Sequence, residues 1–415
     1  MNPVASPSAA APARTVVVRP AIVYAILFGA QGAYLPYISV YLASTGLDLG
    51  TVGALIALFA SVSLVAAPSW GALADGIGDV RGPVVVAGLL SGAAVLLLAV
   101  AVGPFALAVA TVLLAAAWAG VIPMVDSQTV RIVGHRDRFG QARAPGSGAF
   151  VVVAFATGAV LGTAGPGGMF LVYGPLVVLT GLGAFALLRL PIASSTRPAR
   201  RSGSGVAGRA LAGMSPTTIL GVLRTPRLGV FFVAAIVVWS SHAALLGFIS
   251  LRVKALGGDS TMIAAAWSLG AVIEVFLMTA FPALARRFGA ERLIVIGAIA
   301  FAIRSLISAI ADAPATIVIA SAFGGVGFSF FYVGTVTWVA GAVGRSVQAT
   351  AQGIFSGTAN SIGVIVGSVV GGAIGSVFGL PALFLVATAG YAAGAILTWV
   401  AIGRPERRAG SGSMS

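Results

Sequence analysis

Five ionisable side chains stand inside otherwise apolar stretches of this sequence: Asp126, Arg143, His242, Glu274 and Arg304. The sharpest case is SLGAVIEVFLMTA, residues 268–280, where Glu274 is the one charged letter. A carboxyl removed from water has its charged form penalised, so it can take and release a proton near neutral pH, as a proton carrier must. Imidazole donates, accepts and titrates in the same range, which makes His242 a second candidate for proton coupling, a hydrogen-bonded bundle histidine being the alternative. Asp126 is the third carrier considered. Arg304 and Arg143 are the cations that could serve these groups. A permanent Glu274–Arg304 pair would hold the carboxylate ionised, whereas a cation that approaches and leaves would drive the proton off and let it return. Asp126 and Arg143 are close along one helical hairpin, so a structural or gating salt bridge is expected there, with substrate contact as the other possibility.

The elements that must position these groups follow from composition. With 59% hydrophobic and 8% charged residues over 415 positions, and a mean hydropathy of +1.06, the chain cannot cover a soluble globule with polar surface. It reads as an all-α integral membrane protein, since a hydrocarbon core of about 30 Å needs roughly 20 apolar residues per helix. Twelve such spans emerge, at 20–43, 51–74, 83–102, 105–124, 146–165, 169–190, 229–250, 261–284, 292–311, 315–339, 349–376 and 381–402. The runs are continuous and rich in Ala, Leu and Gly, which excludes the alternating strands of a transmembrane barrel. Glu274 then lies near the centre of the eighth span, roughly 18 Å from either end, and Arg304 at similar depth on the ninth.

Net charge is +14, and the arginines fall on alternate loops, from Arg14 and Arg19 through Arg81, Arg131 and Arg136 to Arg404, Arg407 and Arg408. The opposite side carries Arg252 and Lys254. The basic excess is therefore an orientation signal, with both termini cytoplasmic, rather than a nucleic-acid footprint. Residues 1–19 read as a disordered cytoplasmic tail, 20–190 as an N-terminal six-helix bundle, 191–227 as a basic flexible linker with a short interfacial helix opened by Ser215 and Pro216, 228–403 as a C-terminal six-helix bundle, and 404–415 as a second tail. The first apolar run is too long for a signal-peptide core, so the first helix is expected to stay uncleaved.

The halves repeat. At an offset of 211, GALADGIGDVRGPVVV (71–86) meets PALARRFGAERLIVIG (282–297), matching Gly78 with Gly289 and Arg81 with Arg292. At an offset of 209, Ala154, Gly158 and Gly162 match Gly363, Gly367 and Gly371, small at every fourth position, so that another backbone can approach that face. Two pseudo-symmetric six-helix bundles are the expected architecture.

Two six-helix halves joined by a basic linker resemble the major facilitator superfamily, and GALADGIGDVRG between the second and third spans carries the resemblance. Gly71, Leu73, Asp75, Gly78 and Arg81 match that family's cytoplasmic gating loop, while Gly76 stands where a basic residue is expected. On its own chemistry Asp75 should seek a cation or a neighbouring helix N-terminus, and Arg81 should anchor at the surface. The branch containing phenylpropionate permease and its nucleoside and lactose permease relatives is resembled more narrowly, through AYLPYISVYLASTGLDLGTVG (33–53), PSWGALAD (68–75), PMVD with FGQARAPGSGAF (123–126, 139–150) and SHAALLGFISL (241–251). The resemblance implies solute import coupled to protons. Gly165 and Pro166 end the fifth span instead of interrupting it as in antiporters, which favours symport.

Gln31, Tyr34, Tyr37, Trp239 and Asn360 are the aromatic and amide side chains that could orient an organic solute in a midplane cavity, Gln31 and Asn360 above the rest. Interfacial packing is the alternative for the aromatics, and a backbone hydrogen bond for the asparagine. No phosphate-cradling loop, metal-ligand cluster or nucleophile–base constellation is present, and the chain has no cysteine, so neither enzyme nor cofactor is expected. The reading is a secondary transporter of the bacterial inner membrane, acting as a monomer on a small organic solute and protons among membrane lipid, without nucleic acid. Proton-driven efflux of a lipophilic compound is the runner-up.

Overall fold

The computed structural model describes residues 13–134, 136–189, 226–343, 351, 355 and 359–402. The expected interfacial helix at Ser215 and Pro216, nearly all of the linker and the C-terminal tail lie outside them. The described residues form thirteen α-helices: α1 (Ala13–Tyr34), α2 (Ile38–Ser44), α3 (Leu49–Ile77), α4 (Arg81–Val100), α5 (Gly103–Trp118), α6 (Val121–Val133), α7 (Arg136–Ala164), α8 (Met169–Leu187), α9 (Pro226–Ala255), α10 (Ser260–Phe288), α11 (Ala290–Ile310), α12 (Pro314–Ala342) and α13 (Asn360–Ile402). A helix satisfies its own backbone inside hydrocarbon, which is why such apolar runs take this form. α1 begins inside the stretch assigned to the tail, because Val16–Val18 extend its apolar run.

Helix count and span count differ for physical reasons. Pro36 has no N–H to give, so the first span breaks into α1 and α2 across a turn closed by Tyr37 N–H on Tyr34 O at 3.1 Å. The fourth breaks at Ala119–Gly120, where the Trp70 side chain lies against Gly120 and its Nε1–H donates to Ala116 O at 2.7 Å. α13 is 43 residues long, but Gly379, at φ 83° and ψ 167°, divides it into two arms. The twelve spans are thus α1 with α2, α3, α4, α5 with α6, α7, α8, α9, α10, α11, α12 and the two arms of α13.

The repeat read from sequence is structural. Asp48 caps α3, its Oδ1 accepting from Gly50 and Thr51 N–H at 2.8 and 3.1 Å, and Asp259, 211 positions on, caps α10 by accepting from Met262 N–H at 2.8 Å. Gly78 and Gly289, again 211 apart, follow the same two helices with φ of 76° and 86°. In the first bundle α1 packs on α7 and α8, and α4 on α5 and α8; in the second α9 packs on α13, and α12 on α10 and α11. The glycine row of α13 lies on α9, with Gly363 against Trp239, Gly367 against Ser240 and Gly371 against Ala244. Its counterpart on α7 is shorter: Gly158 is in contact, but a Cβ on Gly162 would meet nothing within 4 Å.

Two seams join the bundles. On one, Leu49 and Gly53 of α3 meet Ser368, Gly372 and Gly375 of α13, so closely that a Cβ on Gly53 would overlap the Ser368 carbonyl. On the other, α7 and α10 run antiparallel: Gly158 lies against Ser260 O, and the Phe150 and Trp267 rings are 6.5 Å apart. Arg143 and Glu274 come next along the two helices, within electrostatic range of each other. Positions 260, 267 and 274 recur every seven residues, the spacing that keeps one helix edge on a partner. The close backbone contacts of both seams, at Gly53 with Ser368 and Gly158 with Ser260, lie towards the Asp48/Asp259 end. Towards the Gly78/Gly289 end, Gly71, Gly76 and Gly78 of the α3 side and Gly140 and Gly148 of α7 face open space.

Arg81 does anchor a surface turn, but its partner is Asp79, at 2.9 Å, while Asp75 is exposed. The guanidinium hydrogen bond holds the Asp79 carboxyl below the usual carboxylate range. A depressed carboxyl stabilises the fold above its unfolded value, near pH 4, and the contribution disappears as pH falls through the lower folded value. With the Asp79 side chain 41% exposed, solvent screening keeps the pair below about 1 kcal/mol. Arg81→Gln is therefore expected to unfold slightly earlier than wild type at pH 7, and the difference should vanish towards pH 3 in thermal melts.

Candidate functional site

A cavity of about 490 Å³ lies between the bundles. The first bundle contributes Tyr34, Leu35, Ile38 and Ser39 from either side of the Pro36 break, with Ile56 and Phe59 of α3. Trp239 and His242 of α9, Trp267 of α10, Phe328 and Tyr332 of α12, and Asn360 of α13 form the facing wall. Tyr34 and Ile38 both line this space from either side of the Pro36 break. A side pocket of about 220 Å³ adjoins it, lined by Gln31, Ser63, Trp118 and Tyr173, and Tyr34 lines both spaces. Tyr34 is held there by the Tyr173 ring at 4.7 Å.

Four of the five expected solute-facing residues meet around these spaces: Tyr34, Trp239 and Asn360 at the cavity, Gln31 at its side pocket. Tyr37 does not line them. It is fully buried, and its hydroxyl is taken up by Ala154 O at 2.7 Å and Ser260 O at 3.2 Å, where it ties α7 to the start of α10. Trp267, Phe59, Phe328 and Tyr332 were not singled out from sequence. They are aromatic residues in aromatic-bearing spans, and only the seam between bundles decides which of them face inward.

The five ionisable groups fall into two clusters. Asp126 and Arg143 form the expected pair at 3.2 Å, and Tyr24 O–H donates to Asp126. Arg143 also lies over the Phe28 ring, with its guanidinium carbon 4.9 Å from the ring centre. Glu274 is half-buried at the midpoint of the 29-residue α10, and Arg143 of the opposite bundle is a cation within electrostatic range of it, short of an ion pair. The expected Glu274–Arg304 partnership is not the one the fold makes. α11 ends six residues beyond Arg304, which puts the guanidinium roughly 9 Å from the Asp48/Asp259 end, against roughly 21 Å for Glu274. Arg304 is buried instead against Gly324 and Ser321 of α12, its Nη2 3.5 Å from Ser321 Oγ.

The second cluster reaches the cavity wall. Arg304 is within electrostatic range of Tyr391 and His242, the Tyr391 ring stacks on Phe301 at 5.2 Å, and the Tyr391 hydroxyl is 3.2 Å from His242 Nδ1. His242 packs edge-on to Trp239 at 5.4 Å. Tyr391 and Tyr24, the hydrogen-bond partners in the two clusters, had no signal in the sequence beyond being polar aromatics inside apolar spans.

Removing the Asp126 charge leaves Arg143 without its carboxylate. Because the Arg143 and Asp126 side chains are 42% and 30% exposed, water takes up part of the loss. Asp126→Asn is expected to lose about 1 kcal/mol of stability, with Asp126→Glu losing less, in thermal melts of the detergent-solubilised chain.

Residues 17–386 match the model of the MFS_1 like family. The chain belongs to that family of the major facilitator superfamily. Among curated relatives it is 26% identical over 343 residues to the maltose permease of Geobacillus stearothermophilus, covering 82% of this chain and 83% of that one. Solved major facilitator structures share its fold at low identity. The nucleoside transporter NupG matches with a TM-score of 0.81 at 15% identity, over 93% of this chain and 100% of that one. A bacterial homologue of the human lysosomal transporter Spinster, in an inward-facing and unoccupied conformation, matches at 0.70 and 13%, over 95% and 98%. A peptide transporter of the POT type matches at 0.65 and 15%, over 94% and 93%. Within the superfamily this chain is a multi-pass membrane transporter.

Proposed function

We propose that this family member is a proton-coupled symporter that moves a small organic solute across the bacterial inner membrane by alternating access, and that Glu274 is its proton site. One observation carries the reading: at the midpoint of α10, on the seam where the bundles part, a half-buried carboxyl lies within electrostatic range of an arginine that belongs to the other bundle and is itself paired with Asp126. When the bundles rock, that distance must change. A cation that approaches a carboxylate drives its proton off, and its withdrawal lets the proton return, which ties protonation to the conformational cycle. Asp126 holds Arg143 in place meanwhile, and His242 belongs with the solute rather than the proton.

The arginine distribution supports a cytoplasmic Gly78/Gly289 end. On that assignment both termini are cytoplasmic, the parted side of the seams faces inward, and Gly71, Asp75, Gly78 and Arg81 lie where the inner gate would close. The chain would act as a monomer, with solute and protons as its partners and without enzymatic chemistry or a cofactor.

The apolar lining of the cavity favours a second reading, proton-driven export of a lipophilic compound. Direction separates the two. Proteoliposomes holding a trapped labelled solute, given an inward proton gradient, should retain or gain it by symport and lose it by antiport.

A further inference from the structure

The cavity's lining is more informative about cargo than the fold is. Among the described residues, no charged side chain lines it: Arg143 and Glu274 lie on the α7/α10 seam, Asp126 lies on α6 beside Arg143, and Arg304 lies behind His242. A charged solute placed there would leave water without a counter-charge, which is costly unless the charge is paired. A polyhydroxy solute needs a partner for each hydroxyl, and the walls scatter a few polar groups among the rings of Tyr34, Phe59, Trp239, Trp267, Phe328 and Tyr332. Flat faces of this kind suit a ring stacked between them. The polar side chains among them are the Asn360 amide, the His242 imidazole and the hydroxyl-bearing Ser39, Thr111, Ser368, Tyr34 and Tyr332, of which the amide and the imidazole are the ones that are not hydroxyls.

The buried cluster behind His242 sets what its imidazole offers. Arg304 carries a fixed positive charge close to Tyr391. The Tyr391 hydroxyl lies 3.2 Å from His242 Nδ1, and a cation on the oxygen's side favours the tautomer in which the O–H donates to that nitrogen. A nitrogen that accepts carries no proton, so the neutral ring holds its proton on Nε2 and keeps that N–H to donate. Tyr391 and Arg304 are in this sense positioning residues: they fix a donor without touching the cargo.

We propose that the cavity binds an uncharged, ring-bearing solute with a hydrogen-bond acceptor that the His242 Nε2–H reads beside Asn360, and that it discriminates against charged and polyhydroxy solutes. The inference deepens the transport reading and rests on it for the role of the cavity. It departs from the sugars, nucleosides and peptides carried by the relatives' names.

Near-isosteric probes test it on the purified full-length chain in detergent: phenylacetamide, phenylacetate, phenethylamine and maltose, followed at pH 7 by quenching of tryptophan fluorescence, two of the six tryptophans being in the wall. Phenylacetamide should bind at least tenfold tighter than the other three. His242→Asn, whose amide nitrogen mimics Nδ1, should lose about tenfold more affinity for it than His242→Gln, whose amide nitrogen reaches the Nε2 position, and Tyr391→Phe should weaken the same ligand without changing maltose. Equal or tighter binding of a charged probe or of maltose overturns the proposal, as does no saturable binding of phenylacetamide. Counterflow in proteoliposomes keeps the two readings apart. Selective binding of phenylacetamide without exchange would defeat transport and leave the cavity assignment standing, whereas exchange of maltose or phenylacetate with the affinity order reversed would do the opposite.

Discussion

Glu274→Gln protein is expected to exchange labelled solute across a liposome membrane yet fail to accumulate it when a proton gradient is imposed. The amide keeps the shape and hydrogen bonding of the carboxyl at the midpoint of α10 but cannot bind and release a proton. One pH unit corresponds to about 1.4 kcal/mol, enough for roughly tenfold accumulation at one proton per solute, and the variant should show none of it. Retained exchange is the informative half of the result, because it shows that the cavity still alternates. Loss of both accumulation and exchange would make Glu274 a structural or solute-binding group, and unchanged accumulation would move the proton to Asp126 or His242.

The second large effect concerns the α3/α13 seam. A Cβ on Gly53 would overlap the Ser368 carbonyl, and on Gly372 it would stand 2.6 Å from the Leu49 carbonyl, both backbone atoms with nowhere to go. Gly53→Leu should therefore hold the Asp48/Asp259 end apart and lock the transporter in one state. The chain has no native cysteine, so one introduced at Ser39, buried in the cavity wall, reports on access without interference. A membrane-impermeant maleimide applied from the Asp48/Asp259 side should label Ser39→Cys at least about tenfold faster when Gly53→Leu is also present, with concentrative uptake lost. Labelling at an unchanged rate would mean that this seam does not govern access from that end.

Much of the architecture was legible because hydrocarbon is an undemanding solvent to read: twenty apolar residues between charged loops mean one span. The offset of 211 worked because loop geometry is local, and an Asp cap and a left-handed glycine are written in single letters. Pro36 and Gly120 were equally visible as letters, but whether each bends or breaks its helix depends on neighbours such as Trp70. Partnerships between bundles were the unreadable part. Glu274 was matched with Arg304 from a supposed common depth, whereas the real depths depend on where α10 and α11 start and stop. Arg143, 131 positions away, comes to Glu274 only because Phe150 and Gly158 set the register of α7 against α10. Tyr37 failed for the same reason: its hydroxyl is taken by the seam it helps to close.

The most direct test of the coupling claim is proton movement itself. In lightly buffered proteoliposomes without an imposed gradient, addition of solute to the outside should make the external medium alkaline as protons enter with it, and the Glu274→Gln protein should give no change. Solute entry measured in the same vesicles with no accompanying proton uptake would contradict proton-coupled symport, and acidification of the medium would replace it with antiport.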